Sequence, residues 1–115
     1  MNKKNQISEN YLEKVPVRNP LIKWTKDSEN IVTLEIENTG FFNRMAQKFL
    51  HKPKISYIHL DETGSFIWPI IDGKKDIITL GISVKEHFGE NAEPLYERLA
   101  KYFTILESYN FILWK

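Results

Sequence analysis

The sequence predicts an α+β domain in which a three-stranded antiparallel sheet is followed by three helices. Two observations carry this expectation. Short apolar-rich segments bounded by turn residues lie between residues 21 and 60, and one of them, Ile31 to Glu37, alternates with a period of two, as a half-buried strand does. From residue 61 onward the apolar residues recur every three or four positions, as in amphipathic helices. Size bounds the architecture: 115 residues with 42% hydrophobic content suit one domain with enough apolar surface to fold without a disulfide or a structural metal.

Residues 1–14 are polar and charged, with isolated Ile7, Tyr11 and Leu12, and are expected to form a flexible N-terminal arm before a single domain spanning 15–115. The prolines of Val15-Pro16-Val17-Arg18-Asn19-Pro20 hold that stretch extended, because the residue before a proline is pushed away from helix. Leu21 to Trp24 reads as a first strand and Asp27-Ser28-Glu29-Asn30 as a turn. Ile31 to Glu37 reads as the second strand, with Val32, Leu34 and Ile36 on one face and Thr33, Glu35 and Glu37 on the other. The two strands are expected to form a hairpin. Asn38-Thr39-Gly40 breaks the pattern, Phe41 to His51 fits a short amphipathic helix with Phe42, Met45, Phe49 and Leu50 on its apolar side, and Lys52-Pro53 ends it. Ile55 to Leu60 is the third strand, with Ile58 and Leu60 expected to point inward and Tyr57 and His59 outward.

The first of the three helices starts at Asp61 or Thr63, either of which can accept from the free amides of the first turn, and runs through Phe66, Ile67, Trp68, Ile70 and Ile71 to a stop at Gly73. Pro69 costs it one backbone bond. Asp76 should cap the second helix, whose apolar face is Ile77, Leu80, Val84 and Phe88 and whose terminator is Gly89. The third is expected from Ala92 to Tyr109, with a stripe of Leu95, Leu99, Tyr102 and Leu106 flanked by Tyr96 and Phe103 on one side and Ile105 and Tyr109 on the other. Asn110 ends it, and Phe111 to Trp114 add a final short strand or pack extended on the helices. An amphipathic sheet capping a small helical bundle in this order is winged-helix-like.

Composition removes several classes of chemistry. There are no cysteines, hence no thiolate nucleophile and no cysteine-based zinc or iron–sulfur site. His51, His59 and His87 lack the i, i+4 spacing of a helical metal site, so no metal or other cofactor is expected. Ser56, Ser65 and Ser83 have no nucleophile-elbow context, no Gly-rich phosphate loop occurs, and the adjacent Asp61 and Glu62 suit a helix start better than catalysis. The chain is therefore expected not to be an enzyme. No apolar run approaches the ~18 residues of a membrane span, and the basic N-terminus is followed by no apolar h-region, so a soluble, cytoplasmic protein with no membrane partner is expected.

The net charge of +1 is unevenly spread, at +4 over residues 1–60 (ten Lys or Arg against six acids) and −3 over 61–115 (six against nine). Arg44, Lys48, His51, Lys52 and Lys54 form a local basic patch with no acid among them, read either as a solvated face or as an anion contact.

Against this background a set of short motifs becomes informative. Phe41-Phe42-Asn43-Arg44, Tyr57-Ile58-His59-Leu60-Asp61, Gly64 to Gly73 with Trp68 ahead of Asp72-Gly73, Val84-Lys85-Glu86-His87-Phe88-Gly89 and the final leucine-rich helix through Leu106 resemble the PqqD family over residues 15–114. One departure is the basic insert from Phe41 to Lys54, which the shorter members that serve pyrroloquinoline quinone synthesis lack. The resemblance implies a non-catalytic, chaperone-like domain that holds the leader of a ribosomal precursor peptide for a radical SAM or other modifying enzyme. Such domains bind by strand addition, with backbone pairing supplying affinity and side-chain pockets supplying selectivity. Carried onto this chain, the peptide-binding edge would be Ile55, Ser56, Tyr57, Ile58 and His59, and the groove wall Tyr96, Leu99 and Phe103, residues that core packing in the last helix also explains.

Two other readings compete. A general protein–protein adaptor needs no motif. A winged-helix DNA-binding regulator would use the basic insert on phosphates, but its last helix carries Glu93, Glu97 and Glu107 against Arg98 and Lys101, so a slightly acidic element would have to enter a groove lined with phosphate. Nucleic acid is therefore disfavoured as a partner.

Overall fold

The computed structural model describes residues 9–38 and 54–115. The helix expected over Phe41 to His51, and the basic patch apart from the backbone of Lys54, lie outside the described residues. The chain is mixed α/β with antiparallel sheets and forms two compact units: residues up to 19 together with 66–115, and residues 20–65.

The unit of residues 20–65 is built on a three-stranded antiparallel sheet of β2 (Lys23–Lys26), β3 (Val32–Asn38) and β4 (Lys54–His59), in the order β2-β3-β4. The expected hairpin and third strand are these elements, with bounds shifted by one or two residues. The turn between β2 and β3 closes because the Asp27 carboxylate accepts from the backbone N–H groups of Glu29 (2.9 Å) and Ile31 (3.0 Å), while Asn30 takes a positive φ of 66°. In β3, Val32 and Leu34 are fully buried while Glu37 is exposed, so the alternation read from the sequence does separate two faces. Leu60 donates its N–H to the Val32 carbonyl (2.9 Å) and extends the ladder by one bond. The Ser65 hydroxyl accepts from the Val32 N–H (2.9 Å) and donates to the Leu60 carbonyl (3.2 Å), so a buried side chain satisfies the two backbone groups that open as the strands diverge.

Helix α2 (Glu62–Ile70) starts in this unit and ends in the other. Asp61 caps it, accepting from the Gly64 N–H at 2.7 Å. Pro69 lies in the last turn of this nine-residue helix, next to its end.

The other unit contains α3 (Ile77–Phe88), a 3-10 turn (Gly89–Ala92), α4 (Leu95–Ser108), and a separate antiparallel pair of β1 (Pro16–Arg18) with β5 (Ile112–Trp114). Asp76 caps α3 by accepting from the Thr79 N–H at 2.8 Å, as its position ahead of an apolar run implies. Gly73 and Gly89 take φ of +76° and +60°, values that glycine adopts without the steric cost of a Cβ; Gly89 caps the end of α3, whereas α2 ends at Ile70, ahead of the stop expected at Gly73.

Three expectations need correction. The three-stranded sheet is not alone: Pro16–Arg18 pairs with Ile112–Trp114 in a second, two-stranded antiparallel sheet, so the strands are divided between two sheets. The final helix begins at Leu95 and not at Ala92, since residues 89–92 tighten into a 3-10 turn and Pro94 is extended at φ −78°, ψ 110°. The buried stripe of α4 is Leu95, Leu99, Phe103 and Leu106; Phe103 continues the four-residue row from Leu99 and is fully buried, while Tyr102 is half-buried.

The end of the expected arm is a single turn of helix, α1 (Glu9–Leu12). Tyr11 hydrogen-bonds Thr104 through its hydroxyl (3.2 Å) and meets the Trp114 ring edge-on at 5.7 Å, and burial raises its pKa above the ordinary value. The Lys14 carbonyl accepts from the Ile77 N–H (3.1 Å) and the Lys14 ammonium lies 5.0 Å from the Trp114 ring centroid.

Candidate functional site

The open flank of β4 follows from its pairing with β3. The register sets Leu34 against Ile58, Glu35 against Tyr57, Ile36 against Ser56 and Glu37 against Ile55. In an antiparallel pair, residues that exchange ladder bonds alternate with residues that do not. The Leu60 N–H to Val32 carbonyl bond fixes the phase: residues 56, 58 and 60 turn their backbone polar groups toward β3, and Ile55, Tyr57 and His59 turn theirs away from it. Among the described residues β4 has no strand on that side.

The same three residues carry the exposed side chains. Ile55 is 43% and Tyr57 60% exposed, and His59 is exposed as well, whereas Ser56, Ile58 and Leu60 are half-buried. Ile58 and Leu60 thus take the inward face expected of them. Two large exposed hydrophobic groups beside a backbone flank with no partner strand among the described residues are unusual for an edge strand, which is ordinarily protected by charge, proline or a bulge. At the opposite edge, β2 is only four residues long and carries exposed Lys23 and Lys26.

His59 is oriented by its neighbour, its Nδ1 lying 2.8 Å from the Thr33 hydroxyl. Two residues absent from the expected peptide-binding set, Glu35 and Glu37, lie on this outer face directly across from Tyr57 and Ile55. The period-two pattern of β3 was the signal that places them there.

The helical members of the expected site lie in the other unit. Leu99 (2% exposed) and Phe103 (fully buried) belong to its core, while Tyr96 is 41% exposed. Leu99 also fills the close approach of α4 to α3, where a Cβ added at Gly81 would come within 2.8 Å of Leu99 Cδ1. His87, in the last turn of α3, stacks on Phe66 with ring centroids 4.2 Å apart. Among the described residues, no three His, Asp or Glu side chains gather in the way that would hold a metal ion, and no helix is long and apolar enough to cross a membrane.

No curated protein and no solved structure matches the chain. A family model described as coenzyme PQQ synthesis protein D (PqqD) matches residues 39–112, which takes in β4, helices α2 to α4 and the first residue of β5. With more than half of its length matched in this way, the chain belongs to the PqqD family.

Proposed function

We propose that this protein is a non-catalytic recognition domain that takes up a ribosomal precursor peptide as an added strand on β4 and presents it to a modifying enzyme such as a radical SAM protein. In this proposal residues 15–115 act as one winged-helix-like domain behind the N-terminal arm. The observation that carries it is the coincidence at Ile55, Tyr57 and His59 of outward-turned backbone groups and exposed side chains, in a chain of the PqqD family. Strand addition needs both: free N–H and C=O groups supply affinity independent of sequence, and the side chains beside them supply selectivity.

Hydrogen exchange tests the proposal, with synthetic copies of short peptides encoded beside the gene as probes. Strand addition slows exchange at the amides of Ile55, Tyr57 and His59, which bond to the peptide, and leaves those of Ser56 and Ile58, already committed to β3, nearly unchanged. Saturating peptide with no slowing at the three edge amides contradicts it.

A further inference from the structure

The outer face of the sheet carries a charge pattern with a direction. Reading across the strands, Lys23 of β2 stands opposite Glu35 of β3, and Glu35 opposite Tyr57 of β4. One position along, Glu37 stands opposite Ile55 and diagonal to Tyr57. The basic end of the main row is at the β2 edge, its acid is in the middle, and its β4 end is an uncharged ring, 60% exposed. Among the described residues, neither Glu35 nor Glu37 forms an ion pair.

A strand added to β4 continues this row by one place. Its residue facing Tyr57 lies about 5 Å from the tyrosine and about 10 Å from Glu35 in the hydrogen-bonding direction. A lysine or arginine there lays its aliphatic stem along the exposed ring and carries its cationic head back toward Glu35, with Glu37 on the diagonal. The row then alternates cation, anion, aromatic, cation. An acidic residue at the same place faces two carboxylates across the intervening strand, a repulsion at about 10 Å that salt screens in part.

We propose that the peptide accepted by β4 carries a basic residue in register with Tyr57, an inference that rests on strand addition at this edge. Glu35 and Glu37 are then specificity-determining residues of the site, acting on the partner's charge while the backbone of β4 holds the strand. An exposed cation–π contact with Tyr57, helped by the screened attraction of Glu35 and Glu37 across the strand, corresponds to about a fivefold preference for Lys over Gln, with Glu weaker than Gln.

The test uses three synthetic end-capped peptides of alternating Val and Thr, differing only in whether the central Thr is replaced by Lys, Gln or Glu. Affinity is measured by calorimetry, and the place of binding by the amide signals of Ile55, Tyr57 and His59 in nuclear magnetic resonance spectra. The expected result is that all three shift these signals, that affinity falls from Lys to Gln to Glu, and that the order collapses in the Glu35→Gln/Glu37→Gln variant. Equal affinities with the edge signals shifted overturn the basic preference and leave strand addition standing. If the neutral Gln peptide leaves the edge signals unmoved at saturation, strand addition itself is overturned and the preference with it.

Discussion

Leu60 donates its backbone N–H to the carbonyl of Val32 at 2.9 Å, and this bond sets the parity of the whole third strand of the sheet. It assigns Ser56 and Ile58 to the ladder with β3, and Ile55, Tyr57 and His59 to the open flank.

Proline substitution separates the two classes. Ser56→Pro removes a donor that bonds β3 and should cost about 3 kcal/mol or more, by analogy with proline in a hydrogen-bonded helix interior. Tyr57→Pro removes a donor that faces away from β3, so its thermal midpoint should stay much closer to that of the parent. Equal losses in the two variants would show that the phase of the ladder has been assigned wrongly.

Trp68 is fully buried, and Trp68→Ala should destabilise the protein by about 3–5 kcal/mol in urea denaturation. Phe103, also fully buried, should behave alike, so Phe103→Ala is a test of the core before it is a test of binding. A near-parental midpoint for either variant would place that ring outside the core.

Gly81 lies where α3 and α4 approach closely, with Leu99, Leu95 and Tyr96 around the space a side chain would enter. Gly81→Val should cost about 1–3 kcal/mol through overpacking, although glycine is a poor residue for a helix interior. A stabilised variant would mean that the helices can separate without penalty.

Acid should weaken the fold through Asp72 and Asp76. The backbone N–H of Lys74, and then the Lys75 side chain, hold the Asp72 carboxyl below the ordinary 3.8, at about 2, and the Thr79 N–H lowers that of Asp76. Because both are depressed in the folded state, their contribution is complete above the ordinary aspartate value and is lost as pH falls through the lowered folded-state value, about 2 for Asp72. Urea midpoints should decline across that window, and Asp76→Asn, which keeps a capping oxygen, should decline less. Solvent screening keeps the Asp72 part small. Equal declines in parent and variant would remove Asp76 from the acid sensitivity.

The local grammar of this chain was largely legible in its sequence. Asp76 before an apolar run, Gly89 after it, and the alternation through Val32, Leu34 and Ile36 each have a short-range physical cause, and each stands where it was expected. What was not legible is long-range. Nothing near Pro16 announces that it pairs with Trp114, and the choice between Tyr102 and Phe103 for the buried row depends on how α4 is rotated against its neighbours. The candidate edge was legible as a strand with Tyr57 and His59 outward. Which of its amides are free was not, because that parity depends on a bond between Leu60 and Val32, far apart in sequence.

Strand addition at β4 is tested most directly by calorimetric titration of Tyr57→Pro with a synthetic copy of the short peptide encoded beside the gene, using circular dichroism to confirm that the variant is folded. Tyr57 lies at the middle of the three outward-facing residues, so removing its donor interrupts the new ladder at its centre. The expected result is a folded variant whose affinity is at least tenfold weaker, about 1.4 kcal/mol. A folded variant that binds as tightly as the parent would contradict strand addition on this edge.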